Sequence, residues 1–310
     1  MAITTILVGV DFSAGSDQAL ERAIAIALQN HAKIVLVHAQ ADDAPMTEVD
    51  NAMLQQLGEV SAAVRIEEAR LLADKLDEIR AAGLEAEVVS RIGPPGEVMA
   101  LAASEREAQL IVVGTHGHTG ISRFLLGSVA AATVRHAPCD VLVCRGGEAR
   151  GTFARPLVAH DFSPAASRAL LHADDVIVPG APIEIVHAWQ LPTGSWGATL
   201  LGQSRFPWNT VRDAVLSSAR TQADKILLAH GKMGHPLHVE LLQGPPATVV
   251  THAAERGSHD LIVVGTHGHR GFRKLLLGSV ADSVLRHAPC SVLLVHGEHA
   301  GETTKFKKQG

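Results

Sequence analysis

Tyrosine is missing altogether from the 310-residue chain, and aromatic residues reach only 3% of it. Hydrophobic residues still make up 46%, so the core has to be built from Val, Ile, Leu and Ala, the composition of buried parallel strands covered by helices. Cysteine is scarce and odd in number. Cys139, Cys144 and Cys290 argue against a disulfide scaffold and fit a reducing compartment. No apolar run approaches the roughly 18–20 residues that span a bilayer. Residues 1–10, MAITTILVGV, lack the basic start and cleavage site of a signal peptide and read as a first strand. Charge of one sign is also lacking. A net charge of −5 spread along the chain leaves no electrostatic footprint for nucleic acid or an anionic membrane. These absences predict a cytoplasmic protein without a nucleic-acid or membrane partner.

What is present is repetition. GTHGHTGISRFLLGSVAAATVRHAPC (114–139) returns as GTHGHRGFRKLLLGSVADSVLRHAPC (265–290). VGVDFS (8–13) matches VAHDFS (158–163), LVHA (36–39) matches IVHA (185–188), and IGPPGEV (92–98) matches QGPPATV (243–249). The unit is too long for a solenoid repeat; two whole domains arose by duplication. The expected division is 1–147 and 153–298 around the short polar stretch RGGEARGTFAR (145–155), with 299–310 as a polar tail.

Strand and helix patterns alternate in each half. In the first, strands are expected at the start, at 33–39, 86–92, 109–115 and 140–144. Helices are expected over 14–30, 61–82, 95–106 and 128–136, with Gly83 closing the second. In the second half Ser163-Pro164 marks a helix start, and a helix over roughly 210–230 ends at Gly231. Alternating βαβ units imply a parallel sheet with right-handed crossovers and helices on both faces. Two connections differ between the halves. Residues 40–58 are read as a polar connection. Residues 189–210 form a longer one holding Trp189, Trp196 and Trp208, either a lid or a surface excursion that tucks in its own indoles.

In open parallel sheets ligands bind beyond the carboxyl ends of the strands, and the most distinctive residues fall there. Val113-Gly114 ends the fourth strand, and Gly117 and Gly127-Ser128 follow. Val264-Gly265, Gly268 and Gly278-Ser279 repeat that spacing. Glycines allow a sharp turn and let main-chain N–H groups approach a ligand. The helix after Gly127 offers unpaired donors and a positive dipole end that attract phosphate, with Ser128 as cap or hydroxyl donor. Asp11 and Asp161 follow the first strand of each half. Alone, such an acid serves a helix N-terminus; beside the glycine loop it reads as an acceptor for ribose hydroxyls or an adenine amino group.

The spacing G-x2-G-x9-G-S, the D-x-S after the first strand and the HAPC approach to the fifth strand resemble the universal stress protein family in its tandem form, twice over nearly the whole chain. The resemblance implies two tandem flavodoxin-like (HUP-type) α/β domains, each a five-stranded parallel sheet of order 3-2-1-4-5, paired through their fifth strands. Here that pair would form within one molecule, with or without a further homodimer. It also implies an adenine nucleotide, ATP with or without Mg2+, in each half. Asp11 would meet the ribose and the Ala39 backbone the adenine, while Gly114, Gly117, Gly127, Ser128 and Val129 would line the phosphates. Asp161, Ala188, Gly265, Gly268, Gly278, Ser279 and Val280 are the second set. Gly9 and Ala159 stand where nucleotide-binding members often carry proline, a departure at the adenine edge. Arg123 and Lys274, inside the nine-residue stretch, either reach terminal phosphates or are solvated loop charges.

His116/His118 and His267/His269 have H-x-H spacing but no acidic or Cys partner at ligand spacing, and read as loop histidines beside phosphate. His136 and His287 suit a helix C-terminus; His38 and His187 line the expected adenine pocket. No Walker motif, dinucleotide fingerprint, C-x-x-C or nucleophile–base–acid set is present. A pocket without a positioned base would hydrolyse ATP slowly at best. The expected function is a nucleotide-responsive stress or regulatory module. The rival readings are a slow ATPase and a nucleotide-independent scaffold holding a lipid or metal ligand.

Overall fold

The Val/Ile/Leu runs of the inner strands are buried on both faces, which explains why their hydrophobicity is continuous and not alternating, whereas the two strands at the sheet edges are only partly buried. The computed structural model describes residues 2–41, 51–115, 126–146, 151–191, 208–266 and 277–296, the side chains of 51–57 excepted. The first half runs β1 (Thr5–Gly9), α1 (Ala14–Asn30), β2 (Lys33–Gln40), α2 (Asn51–Ala81), β3 (Ala86–Ile92), α3 (Pro95–Glu105), β4 (Leu110–Gly114), α4 (Ser128–His136) and β5 (Asp140–Cys144). The second half runs β6 (Pro156–Ala159), α5 (Pro164–Ala173), β7 (Ile183–Trp189), α6 (Trp208–His230), β8 (Leu237–Gln243), α7 (Pro246–Arg256), β9 (Leu261–Gly265), α8 (Ser279–His287) and β10 (Ser291–Val295).

The strands form one sheet of order β3-β2-β1-β4-β5-β10-β9-β6-β7-β8. Each half therefore has the 3-2-1-4-5 order, parallel throughout, and the antiparallel β5–β10 pair joins them. Side chains alternate between two core layers. Ile6, Val8, Leu36, Val112 and Leu142 lie in one with Leu293 and Val263 of the second half. Leu7, Val35, Ile111 and Val143 lie in the other with Val292 and Ile262. Both layers cross the seam, so the halves share their cores.

The seam has a two-fold logic. The Arg145 N–H donates to Ser291 Oγ at 3.0 Å. At the repeat-related positions, the His296 N–H donates to Asp140 Oδ1 at 2.9 Å. Arg145 also donates to the Ala288 carbonyl at 2.9 Å and to that of Leu285, placing a cation at the C-terminal end of α8, where the helix dipole favours one.

Two connections differ from expectation. The stretch 40–58 is not all loop: α2 begins at Asn51, because Ala, Met, Leu and Gln in NAMLQQL are good helix formers even without a clear apolar stripe. The tryptophan stretch is likewise shorter. Trp189 continues β7 opposite Gln243 and is buried, and Trp208 opens α6. Trp196 and the tail 299–310 lie outside the described residues. Among the described residues, no helix is long and apolar enough to cross a membrane.

Candidate functional site

In the order 3-2-1-4-5 the chain moves outward from β1 on one side and returns to place β4 on the other. The switch point lies between β1 and β4, where two adjacent crossovers diverge and leave a crevice at the carboxyl ends. The Asp-Phe-Ser turn leaves β1 at this crevice, and the glycine loop leaves β4.

The turn is held by its own polar groups. Asp11 Oδ1 accepts the Ser13 N–H at 3.0 Å and the Ser13 hydroxyl at 2.6 Å, while Ser13 Oγ accepts the Ser16 N–H and caps α1. In the second half, Asp161 Oδ1 accepts the Ser163 N–H at 3.0 Å, and Ser163 caps α5 through the Ala166 N–H. These bonds give the acids the helix-start role. One oxygen shapes the turn before the helix, and the exposed carboxylates still stand at the crevice.

The residue between acid and serine was missed by sequence reasoning. Phe12 and Phe162 have φ of 61° and 64°, a left-handed conformation that a bulky side chain adopts only under constraint from its surroundings. Phe12 packs against the His38 ring at 4.9 Å, and Phe162 stacks on His187 at 4.1 Å. Those histidines donate from Nδ1 to the Val10 and His160 carbonyls, each at 2.8 Å. The recurrence of D-F-S after both first strands was the available signal; backbone handedness is not visible in composition.

Ala39 and Ala188 are set at the vacated edge of the sheet. Val10 donates to the Val37 carbonyl, so two residues on, Ala39 directs its own backbone groups toward the same edge, past the end of β1. His160 and Val186 repeat this bond, which gives Ala188 the same aspect. Gly9 abuts Val113 and Met99: a Cβ there would lie 3.3 Å from the Val113 side chain.

Gly114 is glycine for a reason the sequence did not show. A Cβ on it would sit 2.6 Å from the Gly15 carbonyl oxygen, so β4 and the start of α1 meet backbone to backbone. At Gly265 the corresponding distance to Ala165 is 3.4 Å, an ordinary contact. Each glycine loop is clamped at its root. Gly127 and Gly278 donate to the carbonyls of Thr115 and Thr266, each at 2.9 Å. Thr115 and Thr266 in turn donate to Cys144 and Val295 on the fifth strands. Gly127 and Gly278 are themselves the N-caps of α4 and α8. Ser128 and Ser279 are therefore first helical residues and not caps, because the extended φ/ψ a cap needs falls one residue earlier. Neither helix has a side-chain cap, and the first-turn amides of Ser128, Val129, Ser279 and Val280 have no intrahelical acceptor. Gly117, Arg123, Gly268, Lys274 and the four H-x-H histidines lie outside the described residues.

The remaining groups behave as their surroundings dictate. His136 and His287 bond the Ala132 and Ser283 carbonyls in the last turns of α4 and α8. Burial pushes the Cys144 and Cys290 thiols up to about 12 and that of Cys139 further still, so the thiolate is suppressed. His160, buried at the end of β6, is pushed down to about 4 by burial, with His187 and His230 adding to that and Asp161 opposing. Among the described residues, no group of three His, Cys, Asp or Glu is placed to hold a metal. A cleft of about 650 Å3 opens between α6 and β8, lined by Trp189, Leu216, Leu227 and Leu237 among others. It includes none of the crevice residues described above.

Comparison with known proteins adds the family. The model of the universal stress protein family matches residues 2–145 and again 152–296. A universal stress protein of Mycolicibacterium smegmatis is 29% identical over 299 residues, covering 94% of this chain and 96% of its own. The universal stress protein Rv2005c of Mycobacterium tuberculosis is 29% identical over 311 residues, covering 93% and 96%. The crystal structure of a universal stress protein from Archaeoglobus fulgidus has the same fold, with TM-score 0.64 at 22% identity over 96% of this chain and 97% of that one. With the model matched once in each half and relatives aligned end to end, the chain belongs to the universal stress protein family in its tandem, two-domain form.

Proposed function

We propose that each half binds one adenine nucleotide, ATP, at its strand-end crevice, and that the protein acts as a nucleotide-responsive module more than as a turnover enzyme. The observation that carries this reading is the pair of helix starts, α4 and α8. Each is capped by glycine with no side-chain cap, tied back to the end of the fourth strand, and located at a topological switch point. Such a start presents donors and a positive dipole end to phosphate.

In this reading Gly114, Gly127, Ser128 and Val129, with Gly117, surround the phosphates in the first half. Gly265, Gly278, Ser279 and Val280, with Gly268, do so in the second. Asp11 and Asp161 meet the ribose, the Ala39 and Ala188 backbones meet adenine, and Arg123 and Lys274 approach the terminal phosphates, with Mg2+ as their companion where the triphosphate carries it. The unit boundaries in this reading are 1–147 and 153–298. Occupancy would act by favouring whichever conformation of the loops binds the nucleotide better, and the free cysteines suit a cytoplasmic setting.

Calorimetry with ATP under near-physiological salt tests the proposal: two sites are expected, with Gly127→Ala and Gly278→Ala each removing one. Absence of heat at both crevices overturns it. Steady phosphate release that disappears in the double variant would move the assignment to an ATPase.

A further inference from the structure

The two turns at the crevices differ at one buried position. Val10 in the first half corresponds to His160 in the second, and both are nearly inaccessible, at 5% and 3% exposure. The Phe162 N–H donates to His160 Nδ1 at 2.9 Å. An amide only donates, so Nδ1 carries no proton and the ring hydrogen resides on Nε2, 3.5 Å from Ser167 Oγ. This bond spans Asp161 and ends on the amide of the residue held at φ 64°, and therefore fastens the start of the Asp161–Ser163 turn. The first-half turn closes over Val10, which cannot titrate.

The groups acting on His160 come from each surrounding element. Asp161, on its own loop, favours protonation; His187 of β7 and His230 at the end of α6 oppose it. Ser167 of α5 does not titrate. By register through Gly83 and Gly234, both in the left-handed region, His230 corresponds to Ile79. Val10 and Ile79 share a core layer. Two buried apolar residues of the first half are thus histidines in the second, His160 buried and His230 half-buried.

We propose that His160 is a positioning residue that holds the second crevice in its nucleotide-binding form at neutral pH and loosens it in mild acid, while the Val10 side of the first crevice carries no such switch. The inference rests on the nucleotide reading above. A proton taken from solvent onto Nδ1 sets N–H against the Phe162 N–H, and the imidazolium reaches water only if the turn opens. Opening breaks the Phe162–His160 hydrogen bond and withdraws Asp161 from the ribose position; no covalent bond changes. The ring is held near 4 when enclosed and would return to about 6.5 when freed. The open turn is then favoured about 30-fold more at pH 5 than at pH 7.5.

The test uses the full chain with ATP as probe, by calorimetry at pH 7.5 and pH 5, alongside His160→Val, which copies the first half, and His160→Asn, whose Oδ1 replaces Nδ1 as a non-titrating acceptor. Expected are two sites at pH 7.5 and selective weakening of one at pH 5, of up to about 30-fold, with both variants holding two sites at either pH. Equal weakening of both sites, or variants that lose affinity in step with the native chain, would overturn the proposal. NMR of the ligand-free protein separates this from failure of the nucleotide reading. The Phe162 amide should move between pH 7.5 and 5 in the native chain and stay fixed in His160→Asn, whatever ATP does. A stationary native Phe162 amide also overturns it.

Discussion

Alanine at Gly114 and alanine at Gly265 are the same chemical change at repeat-related positions, and they should have opposite outcomes. At Gly114 the new Cβ would stand 2.6 Å from the Gly15 carbonyl oxygen and 2.7 Å from its carbon. Relief requires the first turn of α1 to retreat by roughly 0.8 Å, the shortfall from ordinary contact. That helix resists, because Ala19, Leu20, Ala23, Ile26 and Ala27 are buried along it, and overpacking of this kind costs about 1–3 kcal/mol. At Gly265 the Cβ would find the Ala165 carbonyl oxygen at 3.4 Å with no backbone penalty. The loss of unfolded-chain freedom should then stabilise by about 0.4–1 kcal/mol. The difference, about 1.5–4 kcal/mol, is readable as separated thermal or urea midpoints of Gly114→Ala and Gly265→Ala in the full chain. Gly114→Ala should also weaken nucleotide binding in the first half, since the displaced helix start is capped by Ser13, whose amide and hydroxyl hold Asp11. Equal midpoints for the two variants would refute the claim that backbone contact, and not loop flexibility, selects glycine at Gly114.

Three further outcomes follow from named contacts. Gly96→Ala places a Cβ 2.5 Å from the Ala132 Cβ and should lower the thermal midpoint by an overpacking cost of about 1–3 kcal/mol; the corresponding Ala247 shows that α7 and α8 already accommodate the methyl. Arg145→Ala strands the Leu285 and Ala288 carbonyls at the seam and should cost about 1–3 kcal/mol by equilibrium denaturation. His160, with its folded value depressed to about 4, takes up its proton more readily when unfolded. Stability is therefore lost as pH falls from about 6.5 to about 4, by about 3 kcal/mol in full; denaturation across that range should be flatter in His160→Val than in the native chain.

Much of this architecture was legible because buried parallel strands have a simple signature. The Val-rich runs at 86–92 and 140–144 and the helix 128–136 agree with β3, β5 and α4 to the residue, since Pro138 and the clustered β-branched residues punctuate them. The start of α2 was hidden because its first turns, NAMLQQL, have helix propensity without a strong period. Trp189 and Trp208 read as loop because Pro192, Gly194, Gly197, Gly202 and Pro207 punctuate the stretch between them, whereas pairing with Gln243 and the helix start divide them. At the crevices, residue types were readable and backbone geometry was not. Nothing in a linear pattern marks Phe12 and Phe162 as left-handed, or distinguishes the constrained Gly114 from the roomier Gly265. Nor does it reveal that Arg145 and His296 reach reciprocal partners across the seam.

Duplication makes each half the control for the other, and the layer formed by the long helix and outer strand shows where they have diverged. Leu72 and Ile79 of α2 are buried against the sheet, and the same register in α6 has Ala223 and His230. Among the described residues of α6, only Ala219 and Ala223 are buried. Leu84 corresponds to His235, held between the Ala181 carbonyl and Asp174. Losing the Leu and Ile side chains removes apolar burial worth about 4 kcal/mol, partly offset because Leu237 and Leu241 of β8 replace Ala86 and Ser90 of β3. The cleft between α6 and β8 is the space left over. Local opening is easiest where burial is thinnest, so amides of α6 and β8 should exchange with deuterium earlier than those of α2 and β3 in the same molecule. The Leu237-to-Gln243 strand should be the first strand to lose protection. Equal protection of β3 and β8 would mean that the strand-side leucines restore all that the helix gave up.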